Sequence, residues 1–204
     1  MRISEIFRSI QGEGRSQGLI TTFVRLAGCN LNCSWCDTPY AREGGKEVPV
    51  GDVFQAVEFS SCSRVCITGG EPLIQRDEVG GLLRQLDSAG YEVEIETNGT
   101  IDFSPLQAHA SICMDVKCPS SGEESDLSLL SRIGSGDAVK FVVDGTGDLD
   151  YAREVIASHP ILGEYLISPV YGSDYGALAR EVLERNMPVR FQVQLHRILG
   201  VRCL

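Results

Sequence analysis

The chain has 204 residues, 43% of them apolar and 23% charged, with a formal charge of −10 at neutral pH. That length supports one domain with a core of its own, and the ordinary apolar content excludes wholesale disorder. The acidic balance argues against direct nucleic-acid binding. The lack of an apolar run near the roughly 18–20 residues of a spanning helix argues against a membrane span, and an N-terminus without a signal-peptide core points to the cytoplasm.

From the N-terminus, a polar, glycine-rich stretch over residues 5–14 precedes the first predicted sheet strand, 21–27. A helix over 51–59, a strand over 64–68 and a helix over 77–88 follow, with Gly90 as a stop. Strands at 91–97 and 111–116 lead to a helix over 126–132, then a strand over 138–143 and a helix over 149–158. A strand over 165–168, a helix over 175–186 halted before Pro188 and a strand over 189–194 complete the series. The helices rest on apolar spacing, as at Leu82, Leu83 and Leu86.

Strands alternating with crossover-length connections predict a parallel sheet of right-handed βαβ units. Six or seven strands fall short of an eight-unit barrel, which takes roughly 250 residues. The expected fold class is therefore α/β, an incomplete, compressed (βα)6-type partial TIM barrel, ahead of an open doubly wound sheet. In both, the ligand belongs at the carboxyl ends of the strands.

Eight cysteines, at 29, 33, 36, 62, 66, 113, 118 and 203, stand out. A secreted disulfide scaffold is shorter, so reduced thiols with metal or catalytic work fit better. Cys29, Cys33 and Cys36 follow the spacing C-x3-C-x2-C on a Gly- and Asn-rich loop directly after a strand. Three thiolates leave a tetrahedral zinc site one ligand short. They can hold three irons of a [4Fe–4S] cube and leave the fourth open to chelate a small molecule. The alternative is a zinc site completed by Cys62, Cys66 or His109 in a module without catalytic activity. The other five cysteines read as packing.

Further strand ends carry polar groups. Thr68-Gly69-Gly70-Glu71-Pro72 offers glycines for close ligand approach and a carboxylate that can accept from an ammonium. Glu96-Thr97-Asn98-Gly99 contains a turn signal, and Asp115-Val116-Lys117 presents an acid and a base to one ligand. Arg25, on an otherwise apolar strand, needs a buried anion: a ligand, or a salt bridge to Glu13 or Glu71. Lys140, within a strand, reads as snorkelling or paired with an acid.

The cysteine loop, with Trp35 before its last cysteine, and the Gly-Gly-Glu-Pro turn resemble the radical S-adenosylmethionine (SAM) superfamily. The resemblance implies that Cys29, Cys33 and Cys36 carry a [4Fe–4S] cluster whose open iron binds SAM. An electron from the cluster then cleaves SAM to a radical that abstracts hydrogen from substrate. It further implies a SAM site made of Trp35, Cys36, Asp37, Gly69, Gly70, Glu71, Asp115, Val116, Lys117, Ser168 and Tyr171.

Four segments in order resemble the 7-carboxy-7-deazaguanine synthase family: Ser9-Ile10-Gln11-Gly12-Glu13-Gly14, Phe23-Val24-Arg25-Leu26-Ala27-Gly28-Cys29-Asn30, Cys36-Asp37-Thr38-Pro39 and Val193-Gln194-Leu195-His196-Arg197-Ile198-Leu199-Gly200. This implies a lyase that converts 6-carboxy-5,6,7,8-tetrahydropterin to 7-carboxy-7-deazaguanine and ammonia, on the way to queuosine or archaeosine in tRNA. The implied course is hydrogen abstraction at C6, ring contraction and return of the hydrogen.

By the same resemblance, Ile10, Gln11, Gly12 and Glu13 line the pterin, with Glu13 on its guanidine-like edge, Arg25 on the substrate carboxylate and Thr68 close by. Glu13, Arg25 and His196 form the catalytic set, and Thr38 holds Mg2+. The terminal carboxylate of Leu204 closes over the pterin, so one domain, 1–204, comprises a cluster loop (28–38) and a covering tail (195–204). Implied partners are a flavodoxin or ferredoxin and a second copy in a homodimer, with no nucleic acid and no membrane. The nearest rival is a radical-SAM activase that makes a glycyl radical on a protein partner. It shares the cysteine loop but has no use for the Gln-Gly-Glu-Gly wall.

Overall fold

A computed structural model describes residues 1–201. Its sheet has nine strands in the order β3-β1-β2-β4-β5-β6-β7-β8-β9. They are β1 (Arg2–Ile10), β2 (Ile20–Leu26), β3 (Lys46–Glu47), β4 (Arg64–Gly69), β5 (Glu92–Thr97), β6 (Ser111–Val116), β7 (Ala138–Val143), β8 (Glu164–Pro169) and β9 (Arg190–Phe191). From β2 through β9 every pairing is parallel, while β1 runs antiparallel to both β2 and β3. Among the described residues no pairing joins β9 back to β3. The architecture is thus the expected partial barrel, left open along one side.

Helices α1 (Val50–Phe59), α2 (Arg76–Ser88), α3 (Thr146–Ser158) and α4 (Tyr175–Glu184) cover the outer face, and α5 (Leu195–Leu199) follows β9. Their apolar stripes meet the strands in one core, in which Leu82, Leu83, Leu86 and Leu149 of the helices and Ile67, Ile95, Met114 and Phe141 of the strands are fully buried. Compression falls in the middle of the chain. The β5–β6 and β6–β7 crossovers hold only 3₁₀ turns, and the helix expected over 126–132 is such a turn, Leu127–Arg132. Asp137 ties these short crossovers together, accepting from the amides of Ile112 and Gly134 and from Gln107 Nε2 at 2.7–2.8 Å.

The main departure is β1. Residues 5–10, expected as polar stretch ahead of the sheet, belong to the nine-residue strand Arg2–Ile10, whose Phe7 ring stacks on Phe23 at 5.0 Å. A register shift between Ile3 and Glu5 breaks the two-residue alternation by which a strand is recognised. The last strand is correspondingly shorter than expected, and residues 192–194 lead into α5 instead. No helix of the described residues is long and apolar enough to cross a membrane.

Candidate active site

At the carboxyl ends of the strands lies a cavity of about 520 Å3. The loop after β2 enters it first. Cys29, Cys33 and Cys36 are free thiols, each partly buried, and all three line the cavity. Neighbouring loops anchor their segment: Asn32 N–H donates to Glu123 Oε1 (2.7 Å), Ser34 N–H to Ser121 O (2.9 Å) and Arg42 Nη2 to Cys33 O (2.9 Å). Trp35 Nε1 donates to Ser120 Oγ (3.0 Å), which donates onward to Asp148 Oδ2 (2.5 Å).

The turn after β4 is stitched to the base of that loop. Gly70 N–H donates to Leu26 O and Glu71 N–H to Gly28 O, and a Cβ on Gly70 would stand 2.2 Å from Gly28 O. Glycine is therefore needed here for backbone against backbone, a reason additional to ligand access. Gly69 and Gly70 line the cavity, but the Glu71 side chain does not. Its fully buried carboxylate accepts from Leu73 N–H (2.9 Å), Thr97 Oγ1 (2.9 Å) and Asn98 N–H (2.7 Å). In this structure the carboxylate clamps the turn after β4 to the end of β5.

Of the other residues expected around SAM, Trp35, Cys36, Asp37, Asp115, Lys117 and Tyr171 line the cavity. Val116 faces the apolar core, and Ser168 is buried in β8 with its hydroxyl donating to Glu13 Oε1 at 3.0 Å, so neither borders the cavity. Lys117 Nζ binds Asp115 Oδ2 at 2.9 Å and lies 5.4 Å from the Trp35 ring centre. Asp115 Oδ1 is buried with no hydrogen-bond partner among the described residues, an acceptor left open.

The β1–β2 connection forms the facing wall. Ile10, Gln11, Gly12 and Glu13 line the cavity with Arg25 and Thr68. Arg25 is paired with Glu5, through Nε at 2.8 Å, and not with Glu13 or Glu71, the salt-bridge alternatives to a ligand. Glu13 is bound at 2.7 Å by Lys140 Nζ. Burial raises the Glu13 pKa, but the ammonium outweighs it and holds the carboxyl below its usual range. Burial likewise disfavours charge on Lys140, yet Glu13, Asp115 and Glu96 keep its pKa well above the ordinary value.

Thr38, which lines the cavity, makes no side-chain capping bond to the turn that follows it. His196 packs so closely that a Cβ on Gly12 would meet its Nδ1 at 1.9 Å, and its Nε2 is 3.4 Å from Asp37 Oδ2. Burial raises the Asp37 pKa, and His196 with Arg25 and Lys140 reverses this and brings it down to about 2. Leu204 and Cys203 lie outside the described residues.

Sequence reading missed Lys140 as a cavity residue and left Glu96 and Asn98, which also line it, between a turn and a ligand contact. Lys140 had a usable signal, being the one charge in Ala138-Val-Lys-Phe-Val-Val143. Cys113 and Cys118 are buried in apolar packing and Cys62 is partly exposed, whereas Cys66, expected as core, is buried beside the Glu94 and Glu96 carboxylates.

The donor set suits an iron–sulfur cluster and SAM. Three thiols converge on one cavity, beside a partly buried acid with an unused acceptor and a lysine. Comparison with known proteins agrees, since the profile of the Radical SAM superfamily matches residues 23–113. The fold resembles QueE from Escherichia coli (TM-score 0.78, 24% identity, 96% of this chain and 94% of that one). It also resembles SuiB of Streptococcus suis bound to precursor peptide SuiA (TM-score 0.65, 14% identity, 87% and 50%). Fold and site define a radical SAM protein, with a [4Fe–4S] cluster and SAM as cofactors.

A protein of Methanospirillum hungatei named 7-carboxy-7-deazaguanine synthase is 55% identical over 98% of this chain and 86% of its own length. Proteins of the same name from Thermoplasma acidophilum (37% identity, 98% and 97%) and Koribacter versatilis (34%, 98% and 96%) also match. The chain belongs to the 7-carboxy-7-deazaguanine synthase family.

Proposed function

We propose that this protein is a 7-carboxy-7-deazaguanine synthase, contracting the ring of 6-carboxy-5,6,7,8-tetrahydropterin with release of ammonia. The observation that carries the reading is the meeting, in one cavity, of the three loop cysteines with Gln11, Glu13, Arg25 and Thr68. When bound, the cluster and SAM supply the radical that begins the reaction.

The chain's own residues bind and orient. Lys140 and Ser168 hold Glu13 from behind, and its remaining lone pairs suit the guanidine-like edge of a pterin. Glu5 engages Arg25 through Nε, which leaves the Nη edge as a fork for a carboxylate. Thr38 offers a hard oxygen to Mg2+. His196 packs against the Gly12 wall. Gly69, Gly70, Asp115, Lys117 and Tyr171 form the SAM side.

The chain acts as a single domain whose tail covers the substrate. Support for the tail comes from His196, Arg197, Gly200 and Val201, which line the cavity, and from Leu195 N–H, which donates to Gly12 O at 3.1 Å. We place the protein in the cytoplasm, reduced by a flavodoxin or ferredoxin, and as a homodimer. The exposed Leu19, Ile20 and Phe59 support the dimer, gathered by the Thr22–Ser60 and Cys62–Ile20 hydrogen bonds.

Anaerobic incubation of the reconstituted protein with 6-carboxytetrahydropterin, SAM, Mg2+ and reductant tests the reading. 7-Carboxy-7-deazaguanine and ammonia should form in equal amounts. Cleavage of SAM without a deazaguanine overturns the reading.

A further inference from the structure

Two cavities share one wall. Gln11 and Glu96 border the large cavity, while Gln11 and Glu94 border a second of about 60 Å3. The second lies at the opposite, amino-terminal end of the strands, with Cys66 and Ser111 among its walls and the Arg64–Glu92 ion pair at its outer edge. A space of that size takes water where polar groups line it.

Gln11 is the shared member, and its amide is locked. Oε1 accepts from Gly12 N–H at 2.9 Å, which turns Nε2 toward the acids, where it donates to Glu94 Oε1 (3.2 Å) and Glu96 Oε1 (3.1 Å). Glu94 and Glu96 sit two residues apart and so share a face of β5. Their carboxylate oxygens and the Cys66 sulfur lie within 4.8 Å of one another. Two carboxylates that close, one buried and one partly buried, resist double ionisation.

The groups facing Glu94 come from every side: Glu96 on its own strand, Cys66 on β4, Cys113 on β6, Lys140 on β7, and Gln11 and Arg15 on the β1–β2 connection. Burial and the Glu96 charge raise the Glu94 carboxyl to about 7 against the opposing pull of Gln11, Lys140 and Arg15.

We propose that Glu94 and Glu96 hold one proton between them and form a proton relay through the barrel floor, from the substrate cavity to solvent at its amino-terminal end. The inference rests on the ring-contraction reading above. Substrate equals product plus ammonia, so no net oxidation occurs and hydrogens leaving ring carbon must end on nitrogen. In the ammonia-releasing step a C–H proton passes to the Glu96 carboxylate and the C–H electron pair forms a ring double bond. The C–N bond breaks with its pair on nitrogen, and nitrogen takes a proton from the pair of acids. One proton is gained and one is given, so the pair ends the step singly protonated; Glu94 acts through Glu96, and exchange with the second cavity sets that state before each turnover.

The test uses the cluster-loaded enzyme and Glu94→Gln, which keeps an acceptor for Gln11 but does not titrate. In the wild type, difference infrared spectroscopy should find a protonated carboxyl that disappears as pH rises through about 7. Glu94→Gln should lack it. Its kcat for ammonia release should fall roughly tenfold to a hundredfold and lose the limb near that pH, with KM for the pterin little changed. Hydrogen transfer from C6-deuterated substrate to the 5′-deoxyadenosyl carbon should persist. Glu94→Asp should restore the band and part of the rate, and serves if the Gln variant fails to fold. A band unchanged in Glu94→Gln, or an unchanged kcat profile, overturns the relay. Absence of deazaguanine from the wild type overturns the ring-contraction reading instead, and the infrared titration still decides whether the proton is shared.

Discussion

Lys140 Nζ lies 2.7 Å from Glu13 Oε2, and the two are separated by 127 positions in the chain. The ammonium is buried at 5% side-chain exposure and also stands 3.9 Å from Asp115 Oδ2. One cation thus supports Glu13 of the proposed pterin wall and Asp115 of the proposed SAM side. Removing one partner of such a pair leaves an unbalanced buried charge, which costs about 3–5 kcal/mol.

Lys140→Met is accordingly expected to raise KM for the pterin by roughly a hundredfold or more. Glu13 now has a lowered pKa, so its ionised form contributes stability above the ordinary carboxylate range, lost as pH falls through the folded value. Without Lys140 that loss moves to higher pH. The acid limb of the kcat/KM profile should shift upward, and a profile that stays in place counts against the pairing as the cause.

Gly70 is a test of backbone approach. A Cβ there meets Gly28 O at 2.2 Å, whereas one on Gly81 in α2 meets nothing within 4 Å. Gly70→Ala should cost roughly 1–3 kcal/mol and lower the iron bound after anaerobic reconstitution, because the strain falls on the base of the cysteine loop. Gly81→Ala should be neutral or gain roughly 0.4–1 kcal/mol. Thermal melts and iron assays on the two variants check both outcomes.

Glu71→Gln separates a clamp from a ligand contact. The amide places a donor against one of the three donors that the carboxylate now accepts from. A buried unmatched group costs roughly 1–3 kcal/mol, and a chain of this size loses roughly 2–4 °C of Tm per kcal/mol. Tm should therefore drop by several degrees in the protein without SAM. A variant with wild-type Tm and weakened SAM binding alone would support the direct contact.

Glu94 makes stability depend on pH. Its pKa rises from 4.5 unfolded to about 7 folded, so its contribution is full below 4.5 and is lost as pH rises through about 7. Glu94→Gln should thus gain stability over the wild type at pH 8, by up to about 3 kcal/mol, and little at pH 5. Denaturant midpoints at the two pH values measure it. Equal differences at both pH values would place the effect outside titration.

Local signals were legible without the fold. The C-x3-C-x2-C spacing located the cysteine loop, and alternating strand and helix patterns placed β2, β4 to β8 and four helices within a few residues. These depend on periodicity and short-range chemistry, which neighbouring residues carry among themselves. The strand β1 escaped because its register shift breaks the alternation, and 127–132 escaped because helical spacing over six residues does not distinguish a 3₁₀ turn from an α-helix.

Which charges meet was not legible. Arg25 pairs with Glu5 across the antiparallel β1–β2 ladder, Lys140 reaches Glu13, and Glu71 turns away from the cavity to clamp Thr97 and Asn98. Each depends on strand order, and strand order is set by packing the whole sheet. The amino acids alone determined the loop that carries the chemistry and the class of barrel around it. The tertiary structure decided the partner of each buried charge, because desolvation obliges such a group to take whichever partner the closed barrel brings within reach.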